Sequence, residues 1–231
     1  SLLVTLSVPN QITVSEIFIL TGLLINIALP PFSYWLTEGY PASSPFGSVI
    51  LSVCMTKVSA MLLTKIFLGN TLLIYLGIFM GFYGIIYMLL ETNLRKIVTF
   101  AIISETGLIL IAIGVGSFNV AISLIISNIF YTAILMTCAS RINILSHANN
   151  YFEIQNLPQK TLMLSVYIVT LISITAFPMT PGYINKYNLN LAITLIKKEW
   201  LINIVTILNS GMIFTVFFKT VYFIFVVPKT K

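Results

Sequence analysis

The stretch AFPMTPGYINK, residues 176–186, interrupts a long apolar run. It puts two prolines, a glycine and a lysine where a membrane-spanning helix needs none. Proline lacks the backbone donor, so Pro178 and Pro181 free carbonyls that a continuous helix would engage. In hydrocarbon, freed carbonyls are tolerated only beside protein or a water-filled cavity. Gly182 lets the backbone turn, and Lys186 lies just past the break, where a charge at membrane depth must face an interior. The stretch therefore predicts a broken helix beside a polar interior.

The rest of the chain agrees with a membrane setting. Of its 231 residues, 58% are hydrophobic and 8% charged, against about 25% charged in a soluble domain. Several apolar runs exceed the roughly 18–20 residues that cross a bilayer. Seven segments follow, at about 14–37, 45–69, 71–90, 96–116, 118–142, 161–196 and 200–227, with a polar connector at 143–160. None shows the strict alternation of a membrane barrel. The fold class predicted is an all-α polytopic transmembrane helix bundle of about seven segments, two of them discontinuous.

Charged residues exclude other classes. There are twelve Lys and Arg, one His and six acidic residues, all Glu, for a net charge of +6. Without Asp, Ser-His-Asp triads and Walker-type magnesium sites are ruled out. The positive charge is spread over loops and helix ends, so no nucleic-acid partner is expected; the partner on all sides is the lipid bilayer. Cys54 and Cys138 have no CxxC spacing and are expected to be small buried residues, not a disulfide or metal site. Residues 1–13 show no signal-peptide pattern.

If the segments alternate, Arg95, Lys96, Arg141, Lys160, Lys229 and Lys231 collect on one side, and Lys65, Lys197 and Lys198 on the other. The positive-inside rule places the first group on the cytoplasmic or matrix side. Lys65 and Lys219 are expected to snorkel from helix ends.

A second break falls at LPPF, residues 29–32, with Pro30 and Pro31. Paired Pro-interrupted segments point to a transport pathway; the alternative is that the prolines only kink packed helices. Lys57 lies mid-way along the second segment and Glu105 mid-way along the fourth. Asn26, Ser59, Ser104, Thr106, Ser127, Asn128 and Thr132 supply polar spacers. A lysine held out of water beside a carboxylate can exist with or without its proton, which suits proton movement. The alternative for Lys57, Glu105 or Lys186 is a structural interhelical pair.

Three motifs in order now resemble a known family. LPPFSYWLTEGYPASSPFGSVILSVCMTK (29–57) is similar to the broken-helix signature of the antiporter-like membrane subunits of respiratory complex I (NADH:ubiquinone oxidoreductase) and of multisubunit cation/proton antiporters. Pro31, Trp35, Leu36, Pro45, Ser48 and Lys57 carry the match. LRKIVTFAIISETGLILIAIG (94–114) resembles the family's basic turn and following helix, with Glu105 where a His is usual. FPMTPGYINK (177–186) resembles the second broken-helix motif, with Lys186 on the family's lysine.

The resemblance implies inverted helical repeats and proton translocation along a central axis, here Lys57, Glu105 and Lys186. It implies no cofactor in this chain, with flavin and iron–sulfur clusters in other subunits. Asn26 stands where the family has a lysine in the first broken helix, and Thr132 near a lysine of the fifth segment. Residues 1–231 are expected to form one membrane domain, the C-terminal part of an antiporter-like subunit, with the first-half helices on another chain. Partners would be that chain and other complex I membrane subunits. Lys186 is closer to the subunit 2 or 5 type and GSVIL to subunit 4; subunit 2 in a mitochondrial inner membrane is the expectation, with a bacterial inner membrane as alternative. A cation/proton antiporter subunit and a degenerate, non-pumping subunit stay open.

Overall fold

The computed structural model describes residues 14–146, 160–174, 176–212 and 215. Among them are nine helices and no strand: α1 (Val14–Asn26), α2 (Tyr34–Ala42), α3 (Pro45–Ile66), α4 (Thr71–Leu90), α5 (Leu94–Val115), α6 (Phe118–Ser146), α7 (Lys160–Ile174), α8 (Pro181–Leu195) and α9 (Trp200–Met212). α3 to α6 are each long and apolar enough to cross a membrane. The first and sixth expected segments each resolve into two helices around their proline breaks, α1–α2 and α7–α8.

Short polar residues set the starts. Ser44 Oγ accepts from Gly47 N–H and Pro45 follows at the first helical position, where its missing N–H is harmless. The Asn70 and Asn93 side chains cap α4 and α5 by accepting from Leu72 and from Arg95 and Lys96. Gly116 ends α5 in the left-handed region at φ 88°. α6 continues four residues past the expected end at 142, because neither Pro nor Gly stands in its way, so the polar connector begins inside a helix. The rest of that connector, the C-terminal half of the seventh segment and Lys219 lie outside the described residues.

α5 is the hub. Every residue from Ile97 to Gly114 is buried, and the helix packs against α2, α3, α4, α6, α8 and α9. A helix apolar on all sides belongs in the middle of a bundle. Its closest neighbour is α4, which offers Gly77, Gly81 and Gly84 to the joint. A Cβ on Gly107 of α5 would lie 2.6 Å from the Gly77 carbonyl and 2.8 Å from the Gly81 nitrogen. Lipid offers no hydrophobic drive between helices, so such small-residue contact is what holds them.

A polar clamp closes one end of the bundle. Arg95 Nη1 donates to the carbonyls of Pro41 (3.1 Å) and Ser43 (3.2 Å), and Lys96 pairs with Glu38 at 2.5 Å. The basic turn thus ties the start of α5 to the end of α2. One expectation is corrected: Cys54 is exposed and Cys138 half-buried, both unpaired. A thiol is apolar enough to face lipid, so the outer face of a membrane helix does not exclude it.

Candidate functional site

The break between α7 and α8 answers what the prolines do. α7 ends at Ile174; Ala176 and Met179 take positive φ (61° and 71°), and Pro181 opens α8 behind its Thr180 cap. The freed carbonyl of Ile174 accepts a hydrogen bond from the Lys186 ammonium. A cation at a helix C-terminus is favoured by the helix dipole. The same ammonium lies 3.5 Å from Glu105 Oε1 of α5. Gly182 packs so closely on the Ser173 carbonyl that there is no room for a Cβ. Gly182→Ala is therefore expected to push α8 off α7 and lower the protein's thermal stability in detergent. A wild-type melting curve would show that the joint is looser than this.

Lys57 on α3 is 3% exposed, Glu105 6% and Lys186 4%. Lys57 Nζ donates to the Ser52 carbonyl at 2.8 Å, and Glu105 acts on it electrostatically. Three helices thus bring two lysines and one carboxylate into the buried interior. Tyr131 of α6 also lies within the field of Glu105, and its hydroxyl would sit 3.3 Å from a Cβ on Gly182. Asn185, beside Lys186, donates to Ser127 Oγ (2.8 Å) and the Ser123 carbonyl (3.2 Å), anchoring α8 to α6.

The first break is built from neutral groups. Pro30 and Pro31 lie in the turn between α1 and α2, joined by a cis bond. Trp35 Nε1 donates to the Ile25 carbonyl at 3.1 Å, the place that Lys186 fills at the other break. Asn26 Nδ2 donates to Ser59 Oγ at 2.6 Å, tying α1 to α3 two residues from Lys57. Thr132 is buried on α6, with its hydroxyl on its own helix at the Ile129 carbonyl (3.2 Å).

Of the residues singled out in the sequence, Glu105 and Lys186 pair directly, and Lys57 is linked to them only through the field of Glu105; Asn26 and Thr132 line the neighbouring helices without touching a charge among the described contacts. Sequence reading missed the caps by Trp35 and Lys186 and the Arg95 clamp. All pair a side chain with a backbone carbonyl of another turn or helix, which no residue pattern announces. Among the described residues no three His, Cys, Asp or Glu side chains converge as a metal site.

The fold is that of a polytopic membrane subunit: a helical bundle with two broken helices and an ionisable interior. The chain belongs to the NADH:quinone oxidoreductase/Mrp antiporter transmembrane family, whose model matches residues 3–213. It is 25% identical over 184 residues to NADH-ubiquinone oxidoreductase chain 5 of Trichophyton rubrum, covering 76% of this chain and 28% of that one. It is 25% identical over 189 residues to NADH-quinone oxidoreductase subunit L of Buchnera aphidicola, covering 78% and 31%. The chain thus spans under a third of the length of these relatives. Its fold is similar to a chain of the Mrp complex from a Dietzia species (TM-score 0.82, 19% identity, 91% of this chain and 42% of that one). It is also similar to a chain of Thermus thermophilus respiratory complex I (TM-score 0.75, 16% identity, 88% and 47%).

Proposed function

We propose that this chain is part of a proton-translocating, antiporter-like membrane subunit of an NADH:ubiquinone oxidoreductase, and that Lys57, Glu105 and Lys186 carry the proton. The observation that bears most weight is the buried Lys186–Glu105 pair with Lys57 in range of the same carboxylate. One carboxylate can neutralise one ammonium. Glu105 pairs with Lys186 and acts on Lys57 only through its field, so the second buried ammonium has no carboxylate of its own among the described contacts, an arrangement that suits a relay. Within the family the chain 5/subunit L type is favoured over subunit 2, since curated relatives of both fungal and bacterial origin carry those names. The fungal relatives and the Ile-, Leu- and Asn-rich sequence favour the mitochondrial inner membrane over a bacterial one. Redox chemistry, with its flavin and iron–sulfur clusters, would reside in other subunits, and the immediate partners would be other membrane subunits.

A second reading, a subunit of a cation/proton antiporter, is favoured by the likeness to the Mrp complex. Native electrophoresis in mild detergent with mass spectrometry separates the two. Company with flavin and iron–sulfur subunits supports the oxidoreductase; a smaller band without them supports the antiporter. For the relay itself, Lys57→Ala and Lys186→Ala complexes that still assemble are expected to move fewer protons per electron. Unchanged stoichiometry in both would sink the proton-carrying role.

A further inference from the structure

Tyr131 of α6 is buried, and its hydroxyl has no hydrogen-bond partner among the described residues. Phenylalanine would fill the same space, and a hydroxyl left unpaired out of water is unfavourable. Ser127 lies one turn back on α6, within range of this hydroxyl. Its Oγ is already engaged, donating to the Ser123 and Leu124 carbonyls (2.9 and 3.1 Å) and accepting from Asn185. The phenol is therefore an idle donor.

Its position gives that donor a use. A Cβ on Gly182 would clash with the Ser173 carbonyl oxygen and lie 3.3 Å from the Tyr131 hydroxyl. Hydroxyl and carbonyl thus flank a single methyl position, less than about two hydrogen-bond lengths apart. Of the carbonyls that the end of α7 leaves open, Ile174 is held by Lys186 and Ile172 receives the Phe177 N–H. Tyr131 therefore stands one residue from the carbonyl that holds Lys186, at the same break. Gly182 and Lys186 are four apart on α8 and both buried, so they share a face. Glu105 acts on both donors: it lies 3.5 Å from the ammonium, and its field reaches the phenol. The hydroxyls that flank Glu105 on α5 are turned to α4. Ser104 packs on Gly84, and Thr106 donates to the Ile103 carbonyl (2.9 Å) and meets Met80 Sδ at 3.9 Å.

We propose that Tyr131 is a positioning residue for the Lys186–Glu105 pair: parked at the α7–α8 break while Lys186 is charged, its hydroxyl donates to Glu105 once Lys186 is neutral. This rests on the proton-carrying role of Lys186 proposed above. When an N–H bond of the ammonium breaks and the proton moves to the next carrier, the amine keeps the electron pair and Glu105 loses its counter-charge. A buried carboxylate without a cation is strongly unfavourable, and a hydrogen bond to the charged group offsets part of that. A swing of the tyrosine side chain carries the hydroxyl from the break to the carboxylate. Tyr131 keeps its own proton throughout. Its role is to hold Glu105 ionised and in place until Lys186 is recharged.

Lys186→Met mimics the neutral lysine, so the test is a double-variant cycle on the intact membrane complex. With Lys186 present, Tyr131→Phe removes an idle hydroxyl and is expected to shift the melting temperature in detergent by less than about 1 °C. In the Lys186→Met background the same change removes the substitute donor. A further fall of about 3–6 °C is expected there, the size of one hydrogen bond to a charge in a chain of this length. Glu105→Gln with Lys186→Met is the control: no carboxylate remains to be served, and Tyr131→Phe should again have little effect. Equal shifts in the wild-type and Lys186→Met backgrounds overturn the proposal, whether both are large, as for a static structural role, or both small. In sealed vesicles, Tyr131→Phe alone is expected to slow proton transport several-fold at unchanged melting temperature, and an undiminished rate also overturns it. If Lys186→Ala leaves the proton stoichiometry unchanged, the carrier role fails first. If it lowers the stoichiometry while the cycle shows no coupling, the positioning role alone fails.

Discussion

Lys186→Met is expected to destabilise the assembled protein by about 3–5 kcal/mol, the usual consequence of removing one partner of a buried ion pair. The ammonium does two jobs, facing Glu105 at 3.5 Å and capping the carbonyl that the α7–α8 break leaves open at Ile174. Methionine fills the space of the lysine stem but supplies no donor. Glu105 then remains buried without this cation, and the end of α7 without its cap. The companion Glu105→Gln with Lys186→Met should recover part of the loss, because the orphaned carboxylate goes with the lysine. Denaturant or thermal unfolding in one detergent, run on both single variants and the double, gives the coupling directly. Strictly additive effects would mean that the two side chains do not interact.

Gly107→Val is expected to do comparable damage without touching a charge. The new side chain would begin 2.6 Å from the Gly77 carbonyl and 2.8 Å from the Gly81 nitrogen, both backbone atoms that cannot rotate away. Overpacking of this kind costs about 1–3 kcal/mol where side chains can yield, and more where they cannot. α5 is the helix on which Glu105 rides, so parting α4 from α5 also shifts the carboxylate from its lysines. Native electrophoresis should show the assembled form depleted. Gly22→Val is the control, since nothing lies within 4 Å of a Cβ there. Equal assembly of both variants would show that the α4–α5 seam has slack.

The sequence carried the architecture because hydrocarbon leaves few choices. Long apolar runs must be helices, and α4 begins and ends at the residues expected, Thr71 and Leu90. Both proline breaks were legible for the same reason: proline cannot continue the hydrogen-bond ladder. Residue chemistry alone marked Lys57, Glu105 and Lys186, since a charge in a membrane segment is rare enough to stand out. It did not mark the sides of helices. Cys54 and Cys138 were expected inside, yet Cys54 is exposed and Cys138 only half-buried, because a membrane helix is apolar on both its lipid and its protein faces, so the usual amphipathic signal vanishes.

Partnership was decided only in three dimensions. Glu105 and Lys186 are far apart in the chain, and nothing local says that α8 sets one against the other. Trp35 on the Ile25 carbonyl, Arg95 on Pro41 and Ser43, and Ser48 against Ser140 depend likewise on how the helices rotate and which ends meet. Composition and periodicity fix which segments enter the membrane, because transfer from water is a property of each segment alone. Which polar groups find one another inside is a property of packing, and it appears only when every helix is in place.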